Sequence, residues 1–373
     1  MSLKTVCRRA FLLLASGALL LSFGCTGGTD TDGSGGSAGG SAKTKRIIIL
    51  TNGPDPFWDT CEAGAKAAEK ALKLGDGNYV VDFQRGDFTD KKQIDMLKQY
   101  VLASDVVAVG VSVFNPNSRN LVGEMKSLQD KGVKVITIDS DVNREKFRDA
   151  RHGYLGTDNV VGGRELGRAA KAISPDGANF AFFVGDLGVA NAKERMAGFV
   201  EGSEGAGFKE LSRLADGGDR PKARKNTEDT LDRNKDCDML VGIWAYNTPQ
   251  IINVLEARKL RDKIKVICFD AAQDSINGMG DGNVDVMVVQ NPYQMGYEGV
   301  TLMKALVEDD RSVIDKMYPE YKKEGTGDLY RTELRVVVPE GSPVTKGLFS
   351  EETIFFKYAD FKKWLEERGL VSS

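Results

Sequence analysis

The 373-residue chain contains one histidine, His152 in RHGYLG. A Ser-His-Asp or Cys-His arrangement would have to commit that residue, and a zinc site would have to manage with one imidazole. Phosphate-cradling glycine spacing is also missing: neither GxGxxG after a strand nor GxxxxGK[ST] occurs. Cysteine is sparse. Cys7 and Cys25 lie in the first 25 residues, and Cys61, Cys237 and Cys268 are too widely spaced for a disulfide framework or a zinc pattern. Charge of neither sign dominates, with 51 Lys and Arg against 54 Asp and Glu interspersed to a net charge of −3, which argues against a nucleic-acid partner. Only one apolar run is long, Phe11–Leu21. It is too short to span a bilayer, so the sequence does not read as a membrane transporter.

What is present begins with an export signal. Lys4, Arg8 and Arg9 precede that apolar run, and Ser22-Phe23-Gly24-Cys25 closes it. A basic region, a short apolar core and a small residue before a cysteine predict a secretory leader over 1–25 with Cys25 as a lipidation site. The pair Arg8-Arg9 leaves general secretory and twin-arginine export both open. Residues 26–44 are nearly all Gly, Ser, Thr, Ala and Asp, the composition of a flexible tether that would hold a folded domain near a membrane.

The most informative stretch is 46–73, RIIILTNGPDPFWDTCEAGAKAAEKALK. Ile47–Leu50 reads as a buried parallel strand, and Cys61, Ala65, Ala68 and Leu72 give the following helix an apolar face. In an open α/β sheet, ligands bind in loops at the strands' carboxyl ends. The loop here offers Asp55 as a hydroxyl acceptor and Phe57 and Trp58 as flat apolar faces, which suits a sugar; the same residues could instead cap a turn and pack the helix.

Strands at 79–83, 106–113 and 133–138 alternate with helices near 90–103 and 118–131. After Gly156 the rhythm restarts with helices at 160–173, 192–204 and 250–258 between strands at 180–184, 239–243, 266–269 and 284–289, followed by a helix from Tyr293. The pattern predicts α/β architecture in two similar doubly wound lobes of parallel sheet. NFAFFVGDLGVANAKERMAGF repeats the opening strand–loop–helix in outline. Asn115, Asp139, Ser140, Asp141, Asn247, Phe269, Asp270 and Gln290 gather at strand ends. Such residues form turns and helix caps, yet two such edges facing each other would make a polar cleft suited to paired hydroxyls.

PFW at 56–58, VITIDSD at 135–141, GTDNVVGGRELG at 156–167, NAKERMAGF at 191–199, VICFDAAQDSING at 266–278 and VVQNPYQMG at 288–296 occur together over residues 45–308. In this combination the chain resembles the type I periplasmic sugar-binding proteins, the ribose-binding group of ABC-transporter receptors. The resemblance implies a monosaccharide held between lobes that close about a hinge, an ABC permease as membrane partner, and a monomer. It implies a first lobe of 45–157 and 291–320 and a second of 158–290 and 321–373. It carries ligand-binding roles onto Asp55, Phe57, Trp58, Asn115, Asp139, Ser140, Lys193, Asn247, Phe269, Asp270 and Gln290, with Lys193 in place of an arginine contact. Asp55 stands where Asn is usual, Ser140 where Arg is usual, and a loop phenylalanine of the second lobe is replaced within DGGDR at 216–220. Trp244, read as a strand residue, could supply an aromatic instead.

A sensing role for the same module stays open from sequence. An exported glycosidase using Asp139 and Asp141 as paired carboxylates is the disfavoured alternative.

Overall fold

The computed structural model describes residues 43–373 except 206, 322 and 324. The leader, Cys25 and the tether up to residue 42 lie outside the described residues.

The first lobe is a six-stranded, all-parallel sheet. Its elements run β1 (Lys45–Leu50), α1 (Phe57–Ala71), β2 (Tyr79–Gln84), α2 (Asp90–Leu102), β3 (Val106–Val111), α3 (Arg119–Asp130), β4 (Lys134–Ile138), α4 (Arg144–Phe147) and β5 (Tyr154–Gly156). The second lobe follows with α5 (Asn159–Ile173), β6 (Asn179–Val184), α6 (Ala190–Ser203), β7 (Lys209–Ala215), α7 (Arg220–Arg233), β8 (Met239–Gly242), α8 (Asn247–Arg258), β9 (Lys265–Phe269), α9 (Gln273–Gly280) and β10 (Val286–Val289). The chain then returns to the first lobe for α10 (Pro292–Glu308), α11 (Arg311–Met317) and β11 (Leu329–Arg331). It ends in the second with β12 (Arg335–Val338), β13 (Ile354–Lys357) and α12 (Tyr358–Glu366).

Strand order is β11-β5-β4-β3-β1-β2 in one sheet and β13-β12-β10-β9-β8-β6-β7 in the other. The run β2-β1-β3-β4-β5 is thus repeated as β7-β6-β8-β9-β10, with β1 matching β6 and β4 matching β9. Leu329–Arg331, expected in the second lobe, belongs with the first, where it pairs in parallel with Tyr154–Gly156. β12 joins the second sheet antiparallel to β10.

Central strands are buried on both faces, as parallel strands between helical layers must be; Ile47–Leu50 and Val266–Phe269 are nearly inaccessible. Two helix pairs lock the loops that face the cleft. α1 and α10 meet backbone to backbone, since a Cβ on Gly64 or Gly296 would lie 1.9 Å from a carbonyl oxygen of the other helix. α5 and α6 do the same through Gly163, Gly167, Gly198 and Gly202. β7 and α7 were not legible in the sequence. β7 is an edge strand, and α7 buries only Ala223, Thr227, Thr230 and Leu231, too few apolar residues to give a helical period.

A short segment beyond α12 bridges the lobes. Ser373 exchanges two backbone hydrogen bonds with Ala271 of the second lobe, while Thr60 on α1 of the first donates its hydroxyl to the Ser372 carbonyl at 3.1 Å.

Candidate ligand-binding site

The carboxyl ends of both sheets face each other across a cavity of about 30 Å³ lined by residues of both lobes. From the first come Asn52, Asp55, Phe57, Trp58, Phe88 and Asp139; from the second, Asn191, Arg195, Trp244, Ala245, Asp270 and Gln290. That volume holds on the order of two water molecules, so a ring-sized ligand can enter only when the lobes part. A larger hollow of about 760 Å³ lies at the opposite end of the first lobe, beside the start of β4. Its carboxylates Asp149 and Asp328 are already paired with Lys126, Arg148 and Arg151, which leaves it little recognition chemistry.

The β1–α1 loop builds one wall. Asp55 accepts from the Phe57 amide at 2.9 Å and opens α1, while the Trp58 indole donates to Asn52 Oδ1 at 3.1 Å. Phe57 and Trp58 meet edge to face, with centroids 4.9 Å apart. Burial pushes the Asp55 carboxyl up to about 7; the charges of Asp270 and Asp139 add to the rise and the Phe57 amide opposes it.

Asp139 follows β4 and Asp270 follows β9, the equivalent strand of the repeat. Both adopt the left-handed backbone conformation, at φ 65° and 66°. Asp is among the few non-glycine residues that tolerate this region, and side chains held there cluster at functional sites. Asp139 accepts from Ser112 Oγ at 3.2 Å and, across the cleft, from Asn191 Nδ2 at 3.4 Å. Asp270 accepts from Gln290 Nε2 at 2.7 Å and from Arg195 Nη1 at 3.5 Å. Burial raises Asp139 to about 6 against the pull of Arg195. Burial raises Asp270 as well, again opposed by Arg195.

Arg195 is the guanidinium at the centre. Its Nε donates to Asn159 at 2.9 Å and Nη1 to the Ile243 carbonyl at 3.0 Å. The plane lies 4.6 Å from the Phe269 ring centroid, and Nη2 is 3.9 Å from Asp139. Arg195 Nη2 and Gln290 Oε1 are buried without a hydrogen-bond partner, one free donor and one free acceptor. Groups buried in that way are costly unless something completes them.

Of the residues read from sequence, the structure brings Asp55, Phe57, Trp58, Asp139, Asp270 and Gln290 to the cavity. The others lie off it. Lys193 is exposed on α6, because residues two apart on a helix face different ways; Arg195, two positions on, is the buried cation. Phe269 is fully buried beneath Arg195. Asn247 accepts from the Trp244 amide at 3.1 Å and donates to Asp216 at 2.9 Å, so it shapes the wall from behind. Asn115 folds its own turn by accepting from the Asn117 amide at 3.1 Å. Ser140 is buried with its hydroxyl unpartnered, and Ser112 makes the hydroxyl contact to Asp139. Trp244 lies beyond the end of β8 rather than in it, which frees it to line the cavity.

Asn52, Phe88, Asn191 and Arg195 were missed. The spacing of Asn191 and Arg195, four apart on one helix face, was the available signal. Asp141 is held by Arg151 at 2.7 Å and Arg144 at 2.8 Å and kept below the usual carboxylate range by those partners in spite of burial, so it is no acid–base partner for Asp139.

A polar cavity between the carboxyl edges of two repeated α/β lobes defines a two-lobed receptor that binds by enclosure. The chain belongs to the periplasmic binding protein domain family, which matches residues 47–311. It is 24% identical to the ribose import binding protein of Escherichia coli over 288 residues, 76% of this chain and 90% of that protein. It is 24% identical to the fructose import binding protein of Bifidobacterium longum, over 76% and 85%. Among solved structures, an ABC transporter solute-binding protein of Burkholderia graminis in complex with D-arabinose aligns at TM-score 0.67 and 25% identity, covering 84% of this chain and 99% of that one.

Proposed function

We propose that this protein is the extracytoplasmic receptor of an ABC importer for a neutral monosaccharide, which it encloses between its lobes and presents to the permease in the closed form. One observation carries the reading: a ring of carboxylates, amides and one guanidinium, flanked by aromatic rings, converges on a single cavity between the lobes. Carboxylates accept from paired hydroxyls, Arg195 and the amides donate to ring and hydroxyl oxygens, and aromatic faces cover C–H surfaces. Asp141, the partner that an acid–base pair with Asp139 would need, is tied up by arginines, and His152 stacks on Tyr321 at 4.7 Å, outside the cavity. Family members are substrate-binding proteins, and the curated relatives named above are import binding proteins.

Export by the amino-terminal signal and anchorage through a lipidated Cys25 complete the proposal. They rest on the sequence of residues 1–25. Among the described residues no helix is long and apolar enough to cross a membrane.

The test is a thermal-shift screen against pentoses, hexoses, deoxy sugars and polyols. A ligand at a hundredfold excess over its Kd stabilises by about 2.7 kcal/mol, enough to read. No shift with any of them would remove the sugar reading. Cys25→Ser should release the protein from membranes or leave the precursor unprocessed.

A further inference from the structure

Phe88 belongs to the first lobe by sequence and to the second by packing. It sits in the loop between β2 and α2, yet its ring lies against the core of the second lobe. There it stacks on Trp244, with centroids 5.9 Å apart and planes 20° from parallel. Phe114, the other first-lobe aromatic reaching that core, lies 6.4 Å from Phe88.

Three features mark the placement as built. Phe88 holds φ at 59°, a conformation that bulky side chains avoid, fixed by its amide donating to the Asn52 carbonyl at 2.8 Å. Glycines clear its path on both lobes: a Cβ on Gly53 would lie 2.3 Å from the ring, and one on Gly218 would lie 2.9 Å from it. Phe88 and Trp244 both line the cavity that holds Asp55, Asp139 and Asp270.

We propose that Phe88 and Trp244 form an aromatic clasp, one ring from each lobe, that seals the ligand cavity and sets how long a ligand stays. The clasp rests on the reading of this cavity as a ligand site, and it does not depend on which ligand is bound. The stack joins the lobes, so its energy belongs to the closed form alone, and a ligand leaves only after the rings separate. The bare Gly217-Gly218 turn of the second lobe is the space into which the ring from the opposite lobe closes. The second lobe thereby borrows an aromatic wall that its own loop lacks.

The test is stopped-flow Trp fluorescence with D-ribose, D-allose, D-fructose, D-galactose and D-xylose, on full-length protein and on Phe88→Ala. Loss of one aromatic pair predicts a dissociation rate up by about tenfold, with the association rate within about twofold. Phe88→Tyr should restore slow dissociation, and Phe88→Ala combined with Trp244→Ala should dissociate no faster than the worse single variant. Unchanged dissociation in Phe88→Ala, or additive effects in the double variant, overturns the clasp.

A second measurement works even if none of these sugars binds, the result that would instead remove the sugar reading. Spin labels at Lys98→Cys and Lys225→Cys, exposed positions on α2 and α7, report the distance between lobes, and the native cysteines of the folded region are buried. Phe88→Ala should deplete the short-distance population. Equal populations in the two proteins, or a parent that never reaches the short distance, overturns the proposal.

Discussion

Asp139 and Asp270 are one position built twice, and they differ in what neutralises them. Each ends a buried strand, VITID or VICFD, at the equivalent place in its lobe and with the same left-handed backbone. Asp270 finds its partners at home, since Gln290 and Arg195 both belong to the second lobe. Asp139 has one neutral partner at home, Ser112; Asn191 and Arg195 reach it from across the cleft. The first lobe thus brings two carboxylates and no cation to the cavity lining, and the second brings the guanidinium. Charge balance is achieved between lobes, so opening the cleft leaves the first lobe's carboxylates to water while the second keeps its ion pair.

The largest expected effect follows from breaking the self-contained half. Asp270→Ala should abolish measurable sugar binding, at a loss of about 2–4 kcal/mol, and should also lower the melting temperature without ligand, because it strands a buried Arg195. Asp139→Ala should cost binding by a similar amount yet leave the unliganded melting temperature unchanged or raised, since it removes a buried carboxylate with little local compensation. Calorimetry and thermal melts on both variants check the pair. Equal destabilisation would erase the asymmetry, and wild-type affinity in either would remove that residue from the binding site.

Protonation sharpens the same contrast. Asp55 and Asp139 titrate near 7 and 6 in the folded protein against an ordinary value of 3.8. Between those limits the native state holds more protons than the unfolded chain, so unliganded stability should fall as pH rises from about 4 to about 7 and then level off. Sugar affinity should move the other way, rising with pH over the upper part of that window, because the ionised carboxylate is the better acceptor. Proton release on binding, measured by calorimetry in buffers of different ionisation enthalpy, checks the sign. Asp55→Asn should remove the upper end of the window.

The smallest effect is on selectivity. Asp55→Asn should reorder the preferred sugars more than it weakens the best one, and it should narrow the disadvantage of uronic acids, which face three carboxylates in the parent. A uronate that outbinds every neutral sugar in the parent, or an unchanged ranking in Asp55→Asn, would show the charge balance to be misread.

Sequence carried much of this because parallel strands have to be apolar and their carboxyl ends have to hold the chemistry. The alternation of elements and the strand-end positions of Asp139, Asp270 and Gln290 were legible for that reason. So was the PDPFW loop, where polar and aromatic residues interrupt an apolar pattern. Phe88 was not legible, since nothing in GDFTD tells that a loop residue crosses to the other lobe. Arg195 was hidden by the nearby Lys193, and only the helix phase separates a buried cation from a solvated one. The placement of Leu329–Arg331 was hidden because LYR is too short a strand to declare which sheet it will join.

Among the described residues, the chain passes between lobes at 157–158, 290–291 and 332–334, so neither lobe is a continuous stretch of sequence. Residues 43–156 lack α10, whose backbone seats against α1, and lack β11 at the sheet edge. During synthesis the first lobe cannot complete its core until residues 292–331 have emerged, after nearly all of the second lobe. Gene recombination cannot exchange one lobe as a cassette through a single joint, because any such joint divides at least one lobe. A lineage built this way changes its ligand by point substitution in the strand-end loops, where Asp55, Phe88 and Trp244 stand.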